Sequence, residues 1–406
     1  MPNFIQIKST VFVLFFLLVS CPGSESSPQT TSEDPEPKKE IVVAANRTAE
    51  YLPQLKGKRV AVVANQTSVI FKESGHQHLV DSLLAHGIDL KKIFSPEHGF
   101  RGRADAGEIV HDGKDIKTGL PVVSLHGKSR KPSQEQLADV DIVVFDIQDV
   151  GVRFYTYIST LQYVMEACAK RGIPVLVLDR PNPNSHYVDG PVLEKQHRNF
   201  LGLNSIPLVY GMTIGEYAVM INREGWLEDK KPVELKVVPL ENYTHESQYS
   251  LPIRPSPNLP NDKAINLYPS LGLFEGTTIN AGRGTEEQFQ RYGSSVLDPK
   301  VFSFTYTPQP NFGSKYPKEE GKLCYGEDLS SQDRMAAVDL RWVIKAYQNS
   351  TEKEKFFLTS GFTRHAGKEA LQKQIEAGMS AEQIRQTWQA EIEAFKKIRA
   401  KYLLYP

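Results

Sequence analysis

The chain has 406 residues, 40% of them hydrophobic and 24% charged, enough apolar material for two globular domains. Lysine plus arginine equal aspartate plus glutamate at 48 each, so no excess of positive charge draws nucleic acid or an anionic membrane surface as the main partner. A neutral or modestly charged small ligand suits that balance better.

Residues 1–21 read as an export signal. Lys8 supplies positive charge, VFVLFFLLV (11–19) an apolar core, and LVSC an ending at Cys21. The apolar run is shorter than the about 20 residues that span hydrocarbon. Leucine, a small residue and cysteine form the pattern of a bacterial lipoprotein cleavage site. Cys21 is therefore the expected acylated N-terminus, the cell envelope the expected location, and the lipid the only expected membrane contact. Residues 22–40, rich in Pro, Ser and Glu, read as a disordered tether. Cys168 and Cys324 stand apart and are expected as buried thiols, not as a disulfide or a metal site.

From Arg59 onward, short β-branched runs alternate with helical patterns. RVAVVAN (59–65) precedes the helix HLVDSLLAHG (78–87), then LKKIF (90–94), LPVVSLHG (120–127) and DIVVFDIQD (141–149). The helix STLQYVMEACAKRG (159–172) and the strand IPVLVLD (173–179) follow, and MTIGEYAVMINREGWL (212–227) with VELKVVPL (233–240) continues the series. Apolar strands separated by helices are what a buried parallel sheet requires. The fold class is thus α/β, with a Rossmann-like parallel-sheet domain over 41–255. The Pro-rich LPIRPSPNLPND (251–262) marks the expected boundary, followed by a smaller α+β domain over 256–406. One charged helix is expected from Ala381, its Ile384, Trp388, Ile392, Phe395 and Ile398 forming a core stripe.

Ligands of open parallel sheets sit beyond the carboxyl ends of the strands. The residues there are Asn65, Gln66, Glu97, His98, His126, Asp146, Asp149 and the turn Asp179 to Asn184. No glycine fingerprint for a dinucleotide, no Walker lysine and no G-x-S-x-G elbow occurs. The histidines are scattered, so neither a metal nor another cofactor is expected. Clustered carboxylates without a cofactor motif point to acid/base chemistry on a bond such as a glycosidic one, where one carboxyl is protonated and another ionised.

FSPEHGFRGRADAGE (94–108) places Glu97, His98, Arg101 and Glu108 on a glycine-rich loop behind Pro96, where His98 or Arg101 can move the pKa of Glu97 in either direction. The competing reading makes Glu97 a turn cap. FDIQDVGVRFYTYIST (145–160) carries Asp146, Asp149, Arg153, Tyr155 and Tyr157, and aromatic faces with an arginine suit a sugar bearing an acidic group. Its competing reading is a helix cap with a salt bridge. Asn182 in LDRPNPN (178–184) is either a turn former or a substrate contact. Glu275 and Arg283 lie on the glycine-rich LFEGTTINAGRGTEEQF (273–289).

Together with DGPVL, YGMTIGEYA, PSPNLP, YPSLGLFEGT, GRGT and FKKIRAKYLLYP, these segments resemble the NamZ-type exo-β-N-acetylmuramidases, in order from about residue 58 to the C-terminus. The resemblance implies a cleft between a Rossmann-like domain and a smaller C-terminal one. It also implies exo-hydrolysis of β-1,4-linked N-acetylmuramic acid (MurNAc) from the non-reducing end of peptidoglycan fragments, with Glu97 as the family's glutamate. Asp146, Asp149 or Glu108 is the expected second carboxylate, and Arg101, Arg153 or Arg283 the expected partner of the lactyl carboxylate that distinguishes MurNAc. Ser185 and Ala281 depart from the family pattern and touch the expected pocket shape. A non-catalytic glycan-binding lipoprotein and a cell-wall amidase or esterase are the rival classes. The sequence specifies no oligomer.

Overall fold

The order of the strands in the main sheet decides where a ligand can sit. A computed structural model of the chain describes residues 39–97, 99–101, 112–127 and 129–406. The signal segment and Cys21 lie outside them. The strands are β1 (Arg59–Ala64), β2 (Val69–Phe71), β3 (His76–His78), β4 (Asp89–Ser95), β5 (Gly113–Lys114), β6 (Pro121–Ser124), β7 (Ile142–Asp146), β8 (Val175–Leu178) and β9 (Leu235–Val238). Seven of them form a sheet ordered β5-β6-β4-β1-β7-β8-β9, parallel throughout except where β5 runs antiparallel to β6. The short antiparallel β2–β3 hairpin, which the sequence pattern did not announce, forms a separate sheet.

In β7 and β8 every residue is buried, and in β1 every residue after Arg59. Helices on both faces explain why these strands read as continuous Val, Ile and Ala and do not alternate. After β1 the chain moves to β4 and on to β6, then returns to β7 on the other side of β1. That reversal opens a crevice at the carboxyl ends of β1 and its neighbours.

Flanking helices are α1 (Thr48–Leu55), α2 (Leu79–Ala85), α3 (Tyr157–Arg171), α4 (Ile214–Arg223) and α5 (Asp262–Leu271). Thr213 and Glu216 form a reciprocal capping box at the start of α4. Asp179, at the end of β8, also accepts from Thr213 Oγ1 at 2.7 Å, the Gly215 amide at 2.8 Å and the Tyr405 hydroxyl at 2.6 Å. The C-terminal tail is thereby fastened to the main sheet.

The smaller C-terminal region has a three-stranded antiparallel sheet of β10 (Arg291–Ser294), β11 (Phe304–Tyr306) and β12 (Cys324–Asp328), ordered β10-β12-β11. Its helices are α6 (Arg341–Gln348), α7 (Lys353–Phe356), α8 (Thr359–Ala366), α9 (Ala370–Glu376), α10 (Ala381–Gln386) and α11 (Gln389–Arg399). The single helix expected from Ala381 is therefore two. It breaks at Trp388, whose Nε1 donates to Asp189 Oδ1 at 3.3 Å, yet Ile384, Trp388, Ile392 and Phe395 are buried as the stripe required. Cys168 and Cys324 are both buried free thiols, and burial pushes each up to about 12.

Candidate active site

At the carboxyl ends of the strands lies a cavity of about 280 Å³. Glu97, two residues past β4, reaches it behind the Pro96 turn, and Thr156 Oγ1 donates to its Oε2 at 3.3 Å. The segment between β7 and α3 supplies Phe154 to Thr156, and α3 supplies its first residue, Tyr157. The Pro-rich stretch supplies Ser256, Asn258 and Leu259, and α5 supplies Tyr268. Glu275, Arg283, Phe289 and His365 complete the wall from the C-terminal region.

Glu275 and Arg283 form an ion pair in which Arg283 Nε donates to Glu275 Oε1 at 3.0 Å. Their side chains are 24% and 21% exposed, so both can meet a ligand. Burial would raise the Glu275 pKa, but the charges of Arg283 and Lys318, His365 and the Arg283 hydrogen bond together hold it at about 2. Burial acts to lower the Arg283 pKa, and Glu275, Tyr268 and Glu97 more than offset it. Lys318 Nζ donates to the carbonyls of Phe274, Glu275 and Thr277 at 2.9, 3.1 and 2.7 Å and so fixes the backbone that carries Glu275. Burial lowers the His365 pKa, which favours a neutral imidazole, and its Nδ1 lies 2.9 Å from the Gly361 carbonyl.

Tyr155 donates to the Pro255 carbonyl at 2.7 Å, and Tyr157 accepts from Asn65 Nδ2 at 3.0 Å. Burial raises the pKa of both phenols, so both stay neutral. Phe289 holds a positive φ of 53°, costly for a side chain of that size. Its ring meets Tyr268 edge-on at 4.7 Å and lies 5.2 Å below the Arg283 guanidinium. Asn258 donates through Nδ2 to the Gly313 carbonyl at 2.7 Å, and its buried Oδ1 has no partner among the described residues.

Glu97, Tyr155, Glu275 and Arg283 are thus brought together, and other expected residues are not. Asp146 is fully buried and bidentate with Arg180, at 2.6 Å to Nε and 2.9 Å to Nη2. Burial raises its pKa and the Arg180 charge opposes that rise. Asp149 accepts from the Tyr210 hydroxyl and, at 2.7 Å, from the Gly151 amide, and burial pushes it up to about 7. Neither aspartate lines the cavity, and among the described residues the second carboxylate there is Glu275.

Arg153 is likewise withdrawn from any substrate. Its Nη1 donates to the Pro191 and Ile206 carbonyls at 2.6 and 2.9 Å, and its Nη2 to His365 and Ala366 at the C-terminal end of α8, at 3.0 and 2.7 Å. Carbonyl dipoles there stabilise a cation, although burial lowers its pKa to about 9. Arg101 is bidentate with Asp115 at 3.0 and 2.9 Å and lines a separate depression with His76 and His78. Asn182 is a turn former: its Nδ2 donates to the Met212 carbonyl at 2.8 Å and its Oδ1 accepts from the Asn184 amide at 2.9 Å. It packs so closely on Gly151, where φ is 74°, that a Cβ would fall 2.3 Å from its Oδ1. His98 and Glu108 lie outside the described residues. Ser185 and Ala281 are buried away from the lining, so neither departure from the family pattern shapes the cavity directly.

Asn258, Tyr268, Phe289 and His365 were not singled out from the sequence. PSPNLP and YPSL flagged the first two segments, while nothing around His365 distinguishes it from a surface helix. Among the described residues, no group of three or more His, Cys, Asp or Glu side chains is placed to hold a metal ion.

The model of the N-terminal part of the exo-β-N-acetylmuramidase NamZ matches residues 60–263, and that of its C-terminal part matches residues 266–405. The peptidoglycan β-N-acetylmuramidase NamZ of Bacillus subtilis (strain 168) is 37% identical over 415 residues, covering 98% of each chain. A DUF1343 family protein from Bacteroides fragilis NCTC 9343, solved at 1.30 Å, is 42% identical with a TM-score of 0.82, over 90% of this chain and 99% of its own. A second from the same organism, solved at 1.65 Å, is 27% identical with a TM-score of 0.76, over 91% and 100%. With both parts matched in order along nearly all of the described chain, the protein belongs to the NamZ exo-β-N-acetylmuramidase family.

Proposed function

We propose that the protein is an exo-acting glycosidase that releases a terminal β-1,4-linked MurNAc residue from the non-reducing end of peptidoglycan fragments. The observation that carries this reading is one small cavity holding two carboxylates, Glu97 and Glu275, with Arg283 paired to Glu275 in the same wall. At about 280 Å³ it is slightly smaller than most ligand sites, which run from roughly 300 to 1,000 Å³. It suits one sugar residue at a chain end better than several within a chain.

In this reading the Glu97 carboxyl protonates the glycosidic oxygen as the C1–O bond breaks. Glu275, ionised at any physiological pH, faces the positive charge that develops at C1. Water then adds to C1 and gives up its proton to a carboxylate. Burial in the wall strengthens each of these charge interactions. The sugar's own 2-acetamido carbonyl is an alternative nucleophile at C1, and Asn258 Oδ1 is an unpaired acceptor for that amide's N–H. Arg283 uses only Nε on Glu275, and its Nη groups make no hydrogen bond among the described residues, which leaves them for the lactyl carboxylate. Acylation at Cys21 would hold the enzyme at the cell envelope.

The test is incubation with a MurNAc-terminated disaccharide, its GlcNAc-terminated counterpart and a muramyl peptide. Free MurNAc from the first alone supports the reading. Binding without release favours a glycan-binding protein, and peptide release favours an amidase.

A further inference from the structure

A sugar seated in the cavity has the rest of its glycan outside, and one loop packed behind the wall carries large apolar side chains facing solvent. Phe312 is 59% and Tyr316 89% exposed. The loop that holds them is nevertheless fastened to three cavity-building segments. The Gln309 amide donates to the Gly284 carbonyl at 2.9 Å and Asn311 Nδ2 to the Thr285 carbonyl at 2.9 Å, at the two residues directly after Arg283. The Gly313 carbonyl accepts from Asn258, and Lys318 holds the backbone around Glu275. Asn311 and Ser314 exchange backbone hydrogen bonds at 3.0 and 3.1 Å, closing a tight turn whose Gly313 has a φ of 95°. A Cβ on Gly313 would fall 2.8 Å from the Pro257 side chain, so the turn sits directly on the Ser256–Asn258 wall. Pro308, Pro310 and Pro317 stiffen its approaches.

From this we infer that the 311–316 turn is the subsite for the leaving sugar, the hexosamine joined to MurNAc through the scissile bond, with Phe312 and Tyr316 packing on its apolar ring face. The inference rests on the glycosidase reading. Both exposed rings belong to one short turn bonded to the cavity-building segments, and the electron-rich ring face attracts the C–H groups of a pyranose. The same turn is bonded to Asn258, whose Oδ1 meets the MurNAc amide in the proposed reaction, which ties the turn to the sugar next to the scissile bond. Because the loop is already ordered, little conformational entropy is lost when a sugar docks.

The experiment compares kcat/KM for MurNAc-β-1,4-GlcNAc and for methyl β-MurNAc, which lacks a leaving sugar, in the wild type, Phe312→Ala, Tyr316→Ala and the double variant. Both side chains are exposed, so circular dichroism should show intact folding. The double variant should lose about tenfold in the ratio of disaccharide to methyl glycoside efficiency. An unchanged ratio, whether from equal loss on both substrates or from no loss on either, overturns the subsite. A wild type that cleaves neither substrate overturns the glycosidase reading, and the subsite with it.

Discussion

Arg283 Nε meets Glu275 Oε1 at 3.0 Å, and both side chains keep a face open to the cavity that Glu97 also lines. This one contact gives the arginine two tasks: holding Glu275 ionised and offering its remaining donors to a ligand anion. Arg283→Ala should lower kcat/KM on MurNAc substrates by about 10²-fold, because it removes a charge-assisted contact and leaves Glu275 unpaired. It should also erase most of the preference over GlcNAc substrates. Arg101→Ala should preserve that preference, since Arg101 belongs to a different depression. Initial rates on the two substrate series check both outcomes, and an unchanged preference in Arg283→Ala removes the lactyl assignment.

Two carboxyls, the buried Asp149 and the half-buried Glu275, make stability depend on pH in opposite senses. Asp149 has a folded pKa of about 7, above the roughly 3.9 of an unfolded aspartate, so the folded state binds the extra proton between these values. Its contribution is complete below pH 4 and is lost as pH rises to 7, an effect on the order of a few kcal/mol. Glu275, held at about 2, contributes fully above its unfolded value near 4.5 and loses that contribution only as pH falls towards 2. Asp149→Asn should therefore flatten the decline in melting temperature between pH 4 and 7. A slope identical to the wild type contradicts the protonated Asp149.

Asp146→Asn should destabilise the fold by about 3–5 kcal/mol, because it leaves Arg180 buried without its counter-ion. The fraction that folds should turn over normally. Denaturant titration and active-site-normalised rates measure the two quantities, and a stable but inactive variant would return Asp146 to the catalytic machinery.

Cys21→Ala should abolish partition of the exported protein into detergent while leaving its turnover intact. Membrane association that survives the change contradicts lipidation at that residue.

How much of this was legible in the sequence depends on what kind of signal each residue leaves. The buried strands announced themselves through runs such as VAVVA and IVVF, and the strand-end rule led from LKKIF directly to Glu97. Glu275 and Arg283 stood out because they lie on a glycine-rich loop, Arg283 between Gly282 and Gly284. The Asp146–Arg180 pair did not, because its members lie 34 positions apart and meet only once β7 and β8 pair side by side. Arg153 misled for a related reason. A charged residue in a loop reads as a ligand contact, whereas here four carbonyls from three segments enclose it. Tyr268, Phe289 and His365 arrive from separate elements, and no local pattern separates an aromatic that lines a cavity from one that fills a core.

The most direct measurement is turnover of MurNAc-β-1,4-GlcNAc by Glu97→Gln, a change that keeps the side chain's shape and removes its acid. A positioned acid/base contributes about 10²- to 10⁴-fold, so kcat should fall at least that far while the variant melts as the wild type does and still binds MurNAc. A folded Glu97→Gln variant with near-normal kcat would contradict the account and leave Glu97 as a turn residue.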